Sequence, residues 1–301
     1  MYHSLCVPLL AICMVFSLTT GTVTGQSSDG EPLRIIAFGA HPDDCELNAG
    51  GVGALWAEQG HAVKCVSMTN GDIGHFGMSG GALAIRRMAE VEAAAEVLGI
   101  TTEVMDIHDG ELVPSLENRK KVARLIREWQ ADIVMVHRRY DYHPDHRYSG
   151  VLVDDATILV EAAFFTPDTP PLPRNPVVLY HHDRFEKPYP HDPIIAVSID
   201  EVADRKWRAL EEMPSQFSDV DSWAWGRNDN VPEDEGERMR IRLEGFKQRN
   251  VNQANQYRDL LIELYGEERG SAVEFAEAFE LSQYGRQVTV DELKEMFPTF
   301  D

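Results

Sequence analysis

The chain has 301 residues, with 28 Lys plus Arg against 50 Asp plus Glu, and its formal net charge is −22. Hydrophobic residues make up 43 % of the chain, an ordinary globular share that excludes intrinsic disorder as the default. The acidic balance argues against nucleic acid and anionic membrane surfaces as partners, because both select basic proteins.

The N-terminal segment has the pattern of a secretory signal. The first 26 residues contain no Lys, Arg, Asp or Glu, and residues 5–18 are almost wholly apolar. This run is shorter than the roughly 20 residues that span a bilayer, and small and polar residues follow it. We therefore expect a signal peptide from Met1 to about Gly25, and a secreted or periplasmic protein with no stable membrane insertion after signal removal. An uncleaved anchor or a misassigned start codon is the alternative, since His3 stands where a Lys or Arg is typical.

Apolar runs then alternate with helical patterns along the chain. The predicted strands are 33–38, 62–68, 103–107, 132–137, 177–180 and 194–199. The predicted helices are 46–59, 84–98, 115–130, about 148–164, 200–213, about 233–265 and 290–297, the last behind a Thr289/Glu292 capping box. This alternation predicts an α/β, Rossmann-like three-layer sandwich with a mostly parallel central sheet. No G-x-G-x-x-G follows the first strand, and no linker interrupts residues 27–301, which we predict to be one domain with a C-terminal helical extension.

Two cysteines, Cys45 and Cys65, follow the predicted signal. A single disulfide between them is one possibility in an oxidising compartment. The pattern favours two small buried residues instead, one near a helix start and one in a strand.

Two clusters of His and Asp follow predicted strands. Ala-His-Pro-Asp-Asp (40–44) comes directly after the first strand, and His-Pro-Asp-His (143–146) comes shortly after the fourth. Because the carboxyl ends of parallel strands meet at one crevice, we expect the clusters to converge. A catalytic zinc usually takes three protein ligands, and His41, Asp44 and His146 offer such a set. The alternatives are an Asp-Asp helix cap and a solvated His-x-x-His loop.

The paired motifs resemble those of the PIG-L/LmbE-like N-deacetylases, which include zinc-dependent enzymes that remove acetyl groups from N-acetylglucosamine-type substrates. Further similarities are Thr-Asn-Gly-Asp at 69–72, an Arg-x-x-Glu helix at 87–90, and Ser-Gln at 215–216. A weaker similarity lies at 276–279. Together these motifs cover roughly residues 33–216.

The resemblance implies a role for each matching residue. His41, Asp44 and His146 would bind Zn²⁺, although Fe²⁺ or another divalent ion remains open. Asp43 would be the general base that takes a proton from water. His143 would stabilise the oxyanion or protonate the leaving amine. The resemblance also implies that Arg87 holds a hydroxyl or phosphate of the substrate, and that Asp145 orients a neighbouring histidine.

We therefore expect a metal-dependent hydrolase that removes an N-acetyl or other acyl group from a small N-acetylglucosamine-type sugar or glycoconjugate. A metal-dependent phosphoesterase is one alternative, but two metals need more ligands than the clusters comfortably supply. A carbohydrate-binding protein with a degenerate site is the other, but the base, Asp43, is present. The sequence does not define an oligomeric state.

The remaining histidines carry weaker signals. His75 lies in a Gly-rich loop at 70–81, which is a candidate substrate lid, with solvated turns as the alternative. His181, His182 and His191 lie in an insert rich in Pro and aromatic residues. We predict that each of these three is a surface residue, with a place in the sugar site as the alternative.

Overall fold

A seven-stranded sheet runs through the computed structural model, which describes residues 31–300 and Met1. Its strands are β1 (Arg34–Gly39), β2 (Ala62–Ser67), β3 (Thr101–Val104), β4 (Ile133–Val136), β5 (Val177–His181), β6 (Ile195–Ser198) and β7 (Ala276–Gly285). The strand order is β3-β2-β1-β4-β5-β7-β6, and β1 to β5 pair in parallel, whereas β7 is antiparallel to both neighbours. Apart from Met1, the predicted signal peptide lies outside the described residues.

Helices cover both faces of this sheet. They are α1 (Asp44–Glu58), α2 (Gly81–Leu98), α3 (Leu116–Trp129), α4 (Pro144–Thr157), α5 (Ala203–Glu211), α6 (Pro214–Phe217), α7 (Glu235–Gln256), α8 (Arg258–Tyr265), α9 (Glu267–Ala272) and α10 (Val290–Lys294). Within residues 31–300, none of them combines the length and the apolar character that a bilayer crossing requires.

The alternation of side chains along β1 shows how the layers form. Ile35 and Ala37 point into one buried cluster, which contains residues of α1, α2 and α5. Ile36 and Phe38 point into the opposite cluster, which contains residues of α3 and α4. Because a central parallel strand is buried on both faces, it is a continuous apolar run rather than an alternating one. The predicted three-layer α/β sandwich is confirmed.

Several elements differ from the prediction in their bounds, and the predicted helix at about 233–265 is divided into α7 and α8. Two of the differences have an identifiable cause. β7 was not predicted, because its sequence AEAFELSQYG interrupts the apolar run with polar side chains. Its Glu277 is nevertheless 1 % exposed and pairs with Lys206, so a carboxylate occupies a core position. Helix α4 begins at Pro144 rather than near residue 148. His143 accepts a hydrogen bond from the Asp145 amide as its N-cap, and proline is favoured at the first helical position.

Buried polar residues settle two further predictions. Cys45 and Cys65 are free and buried, as the pattern favoured. The prediction that His181 and His191 lie on the surface is wrong, since they are 1 % and 6 % exposed. The apolar run of β5 carries His181 into the sheet. The hydroxyl of Tyr257 lies 3.2 Å from Nδ1 of His191, inside the fold.

The burial of His191 makes the stability of the protein depend on pH. Burial, followed by the charges of His182 and Arg138, lowers the pKa of His191 to about 3. In the unfolded chain the pKa is about 6.5, so below that pH the unfolded state binds the extra proton. Stability is therefore lost as the pH falls from 6.5 towards 3. Between pH 7 and 5 the loss from this one residue is about 2 kcal/mol.

We expect His191→Gln to make the free energy of unfolding fall less between pH 7 and pH 5, by about 2 kcal/mol, because the buried imidazole is gone. Urea unfolding at the two pH values measures this difference. Tyr257→Phe is the matched control, since it removes the same hydrogen bond but leaves the imidazole buried. An unchanged pH dependence in His191→Gln would contradict this account.

Candidate active site

The two predicted clusters meet where the strand order reverses. From β1 the chain passes outward through β2 and β3, and it then returns to β4 on the other side of β1. His41 follows β1, and His146 lies in the first turn of α4. Crevices at such reversal points, beyond the carboxyl ends of the strands, are where open α/β sheets bind ligands.

The three predicted metal ligands converge on one point. Nδ1 of His41 lies 3.4 Å from Oδ2 of Asp44, and Nε2 of His146 lies 3.5 Å from the same oxygen. The two imidazole nitrogens are 3.3 Å apart. Tetrahedral ligands with bonds of about 2.0–2.1 Å stand about 3.3–3.4 Å from one another. The three residues therefore fit a divalent ion such as zinc and leave a fourth position open.

Asp44 is held in its charged form. Its Oδ2 accepts hydrogen bonds from the backbone amides of Ala40 and His41, at 2.9 and 2.8 Å. Burial opposes ionisation, but the neighbouring His146 and His137 outweigh it and hold the pKa of Asp44 well below its usual range. The side chain thus folds back over the loop before α1 and presents a carboxylate to the imidazoles.

Asp43 differs from its neighbour. Among residues 31–300, no group donates a hydrogen bond to its half-buried carboxyl. Burial, and then the charge of Asp44, raise the pKa of Asp43 to about 6. Nε2 of Gln216 donates to the carbonyl of Pro42 at 2.5 Å and so braces the loop from α6. Asp43 is left free to exchange a proton near neutral pH.

His143 is oriented by the start of α4. Its Nδ1 accepts a hydrogen bond from the Asp145 amide at 3.3 Å, so the proton of the neutral ring lies on Nε2. Burial, and then the charges of His41 and His146, lower the pKa of His143. At neutral pH the ring is therefore an uncharged Nε2–H donor.

Two aspartates that the sequence analysis did not select complete the surroundings of the site. Oδ1 of Asp109 lies 3.2 Å from Nε2 of His41, and Oδ1 of Asp141 lies 3.2 Å from Nδ1 of His146. Each carboxylate thus faces the ring nitrogen that points away from Asp44. Such outer partners fix the orientation of ligand imidazoles. Asp109 lies past the carboxyl end of β3, and this position after a strand is the sequence feature from which its place in the site could have been predicted.

Other ligand combinations share the same atoms. Nε2 of His137 lies 3.3 Å from Oδ2 of Asp44, and its ring stacks on His146 with centroids 4.1 Å apart. Asp44, His137 and His146 therefore also form a three-residue group, as do His41, His143 and His146. A further group of the described residues, His41, Asp109, His143 and Asp145, joins the two clusters without His146.

Arg87 is buried behind the site. Its guanidinium donates to the carbonyls of Gly71 and Gly74, at 2.6 and 2.8 Å, and only 2 % of the residue is exposed. A Cβ at either glycine would approach this guanidinium to 2.7 Å, which explains why positions 71 and 74 are glycines. Arg87 thus shapes the loop beside Asp43, and its contact with substrate stays a prediction.

A polar network ties this loop to α2 and α6. Glu90 accepts hydrogen bonds from the hydroxyl and amide of Ser215, and it also pairs with Arg86 at 3.0 Å. Arg86 pairs in turn with Asp219, which lies 3.2 Å from Nε2 of His75. Glu90 of the Arg-x-x-Glu motif and Ser215 of the Ser-Gln motif are therefore joined directly, and Arg86 extends this network towards the loop.

Fold and site together define a Rossmann-like α/β protein with a crevice at its switch point, where His and Asp side chains are arranged so that they could hold a metal ion. The sequence profile of GlcNAc-PI de-N-acetylase (PIG-L) matches residues 36–157. The diacetylchitobiose deacetylase of Thermococcus kodakarensis is 30 % identical over 196 residues, which are 63 % of this chain and 72 % of that protein. The chain therefore belongs to the PIG-L family.

Two further comparisons delimit what this membership means. The 4-oxalmesaconate hydratase of Pseudomonas putida is 29 % identical over 189 residues, 60 % of this chain and 73 % of the hydratase. A solved N,N'-diacetylchitobiose deacetylase from Pyrococcus horikoshii aligns with a TM-score of 0.63 at 24 % identity, over 82 % of this chain and 83 % of its own. That likeness shows the fold. The family thus contains relatives with different named activities.

We expect His146→Ala to weaken metal binding by more than the 10- to 100-fold loss that is typical when an outer partner is removed. We expect His143→Ala to keep about one metal per chain, because the ring is already engaged at the start of α4. Chelator competition at equilibrium measures both affinities. His137→Gln is the matched control for the stacked ring. If His143→Ala lost the ion and His146→Ala held it, the assignment would be reversed.

Proposed function

We propose that the protein is a metal-dependent hydrolase that removes the N-acetyl group from a small N-acetylglucosamine-type sugar or glycoconjugate. One observation carries this proposal. Three ligand atoms stand 3.3–3.5 Å apart, and beside them stand a carboxyl without a hydrogen-bond donor and an uncharged imidazole. The family membership and the named deacetylase relative support it. The zinc and the roles of the individual side chains are part of the proposal.

His41, Asp44 and His146 would hold the ion. A divalent ion such as zinc, when bound there, supplies the Lewis acidity that polarises an amide carbonyl and makes water a better nucleophile. Asp109 and Asp141 would keep the two imidazoles in the tautomers that direct a lone pair inward.

Asp43 would act as the general base. A pKa of about 6 leaves its carboxyl mostly ionised at neutral pH, so it can take the proton of the attacking water. Once protonated, the same group is an acid of suitable strength to pass that proton to the leaving nitrogen. An amine leaves as a neutral molecule only if it receives a proton, so one carboxyl would serve both steps.

His143 would stabilise the oxyanion. Its lowered pKa keeps the imidazole uncharged, and its Nδ1 accepts a backbone amide, so Nε2–H remains as a donor. A fixed N–H donor aimed at developing negative charge is typically worth 10²–10³ in kcat. Of the two roles that the resemblance offered for His143, this geometry favours the oxyanion role.

Addition of water to a carbon–carbon double bond is the second candidate, because the hydratase relative is nearly as similar as the deacetylase. A single panel separates the two. Metal-loaded protein is incubated with N-acetylglucosamine, diacetylchitobiose and unsaturated dicarboxylates, and both acetate release and the loss of double-bond absorbance are recorded. Acetate release alone supports the deacetylase. Absorbance loss without acetate would replace it with the hydratase.

A further inference from the structure

Three arginines lie in segments whose neighbouring residues contact the candidate active site. Arg242 and Arg249 lie on α7, with Cζ of each 5.1 Å from the ring of Phe246. Arg184 follows β5, next to Phe185 in the chain. We call Arg184, Arg242 and Arg249 the arginine rim. In a chain with a net charge of −22, a cluster of like positive charges at one place requires an explanation.

The arginine rim lacks protein counter-charges. Among residues 31–300, none of its three guanidinium groups forms an ion pair or a side-chain hydrogen bond, whereas Arg86, Arg138 and Arg139 all pair with carboxylates. Nε of Arg242 is buried without a hydrogen-bond partner. A buried donor without a partner is costly, and an anion bound at the rim would supply an acceptor for this one.

Contacts connect the rim to the catalytic loop on one side. Phe246, between the two α7 arginines, packs on Phe217 with ring centroids 4.8 Å apart. Phe217 follows Gln216, which donates to the carbonyl of Pro42 beside Asp43. Burial lowers the pKa of Arg242, and the charge of Asp43 opposes that effect.

Aromatic contacts connect the rim to the site on the other side. The ring of Phe185 lies 6.3 Å from that of Tyr142, which is itself 5.7 Å from the ring of His143. After burial, the charge of Arg184 is the next cause that lowers the pKa of Arg249. Contacts on both sides therefore lead from neighbours of the rim to His143 and to the loop that carries Asp43.

We propose that the arginine rim binds an oxyanion of the substrate, a carboxylate or a phosphate, while the N-acetyl group lies at the metal site. Only the second part of this inference, the position of the N-acetyl group at the metal site, rests on the proposed function. Arginine forks match the geometry of both anions, and like-charged arginines without carboxylates lose their mutual repulsion when an anion binds. The substrate class is thus an anionic N-acetyl sugar rather than a neutral one.

The test compares matched neutral and anionic substrates. N-acetylglucosamine is set against its 1-phosphate and 6-phosphate for the phosphate source, and against N-acetylmuramic acid for the carboxylate source. We expect kcat/KM for one anionic sugar to exceed that of the neutral sugar by at least 10-fold. Arg242→Gln and Arg249→Gln should lower this ratio by on the order of 10- to 100-fold, the usual effect of losing a hydrogen bond to a charged group. A ratio that neither variant changes overturns the proposal.

A binding measurement separates this inference from the proposed function. Inorganic phosphate is titrated into the metal-loaded protein by calorimetry, and the two variants should bind it at least 10-fold more weakly, with salt weakening the wild type further. Arg240→Gln, on the same helix but paired at the surface with Glu237, is the matched control. If no sugar releases acetate but the two variants still bind phosphate more weakly, the proposed function is wrong and oxyanion binding by the arginine rim is supported. If acetate is released but the variants bind phosphate as tightly as the wild type, oxyanion binding by the arginine rim is wrong and the proposed function is unaffected.

Discussion

Replacing Asp43 by Asn is expected to lower kcat by about 10²–10⁴ while the protein keeps its metal, because that range is the usual contribution of general acid–base catalysis. The substitution preserves the size of the side chain but removes its ability to take a proton. No described residue donates a hydrogen bond to this carboxyl, so no structural contact is lost with it. Turnover of the best substrate from the panel and metal content by mass spectrometry are measured together.

The neighbouring Asp44→Asn is the matched control. Asp44 accepts two backbone amides and lies within 3.5 Å of three imidazole nitrogens, so its replacement should release the metal as well as the activity. The two variants therefore separate a base from a ligand although the residues are adjacent. An Asp43→Asn protein that turns over within a few-fold of the wild type, fully loaded with metal, removes Asp43 from the mechanism.

The sequence predicted the part of the site that local order determines. Ala-His-Pro-Asp-Asp directly follows a buried parallel strand, and the topology alone brings that strand end next to the end of β4. The strands and most helices are recognisable because their apolar residues repeat with the period of the element. His41, Asp44 and His146 could therefore be placed together before any coordinates were known.

What the sequence did not predict depends on pairing between distant segments. Asp109 faces His41 because β3 happens to end at the same edge, and no local motif marks it. Arg242 and Arg249 lie on a helix about 200 residues after Asp43, and their helical spacing alone resembles an ordinary solvated face. β7 was not predicted because it contains a charged residue, Glu277, whose burial depends on pairing with Lys206 of α5. Burial of a charge cannot be inferred until that partner is known.

The pair formed by Lys206 and Glu277 ties three elements together behind the site. Nζ of Lys206 lies 2.7 Å from Oε1 of Glu277, and both side chains are 1 % exposed. The carboxylate also accepts the amides of Gly51 and Val52 within α1, and the ammonium donates to the carbonyl of Leu47 in the same helix. The helix that begins at Asp44 is thus held to β7 and α5 by charged hydrogen bonds.

We expect Lys206→Met to lower the free energy of unfolding by about 3–5 kcal/mol, because it leaves the Glu277 carboxylate buried without its counter-charge. Equilibrium urea unfolding at neutral pH measures the change. Lys64→Met is the matched control, since its partner Glu103 is half exposed and such pairs contribute about 0–1 kcal/mol. Adding Glu277→Gln to Lys206→Met should recover part of the loss, because it removes the unpaired charge while one oxygen still accepts from α1. If Lys206→Met cost no more than Lys64→Met, the buried pair would not hold α1 in place.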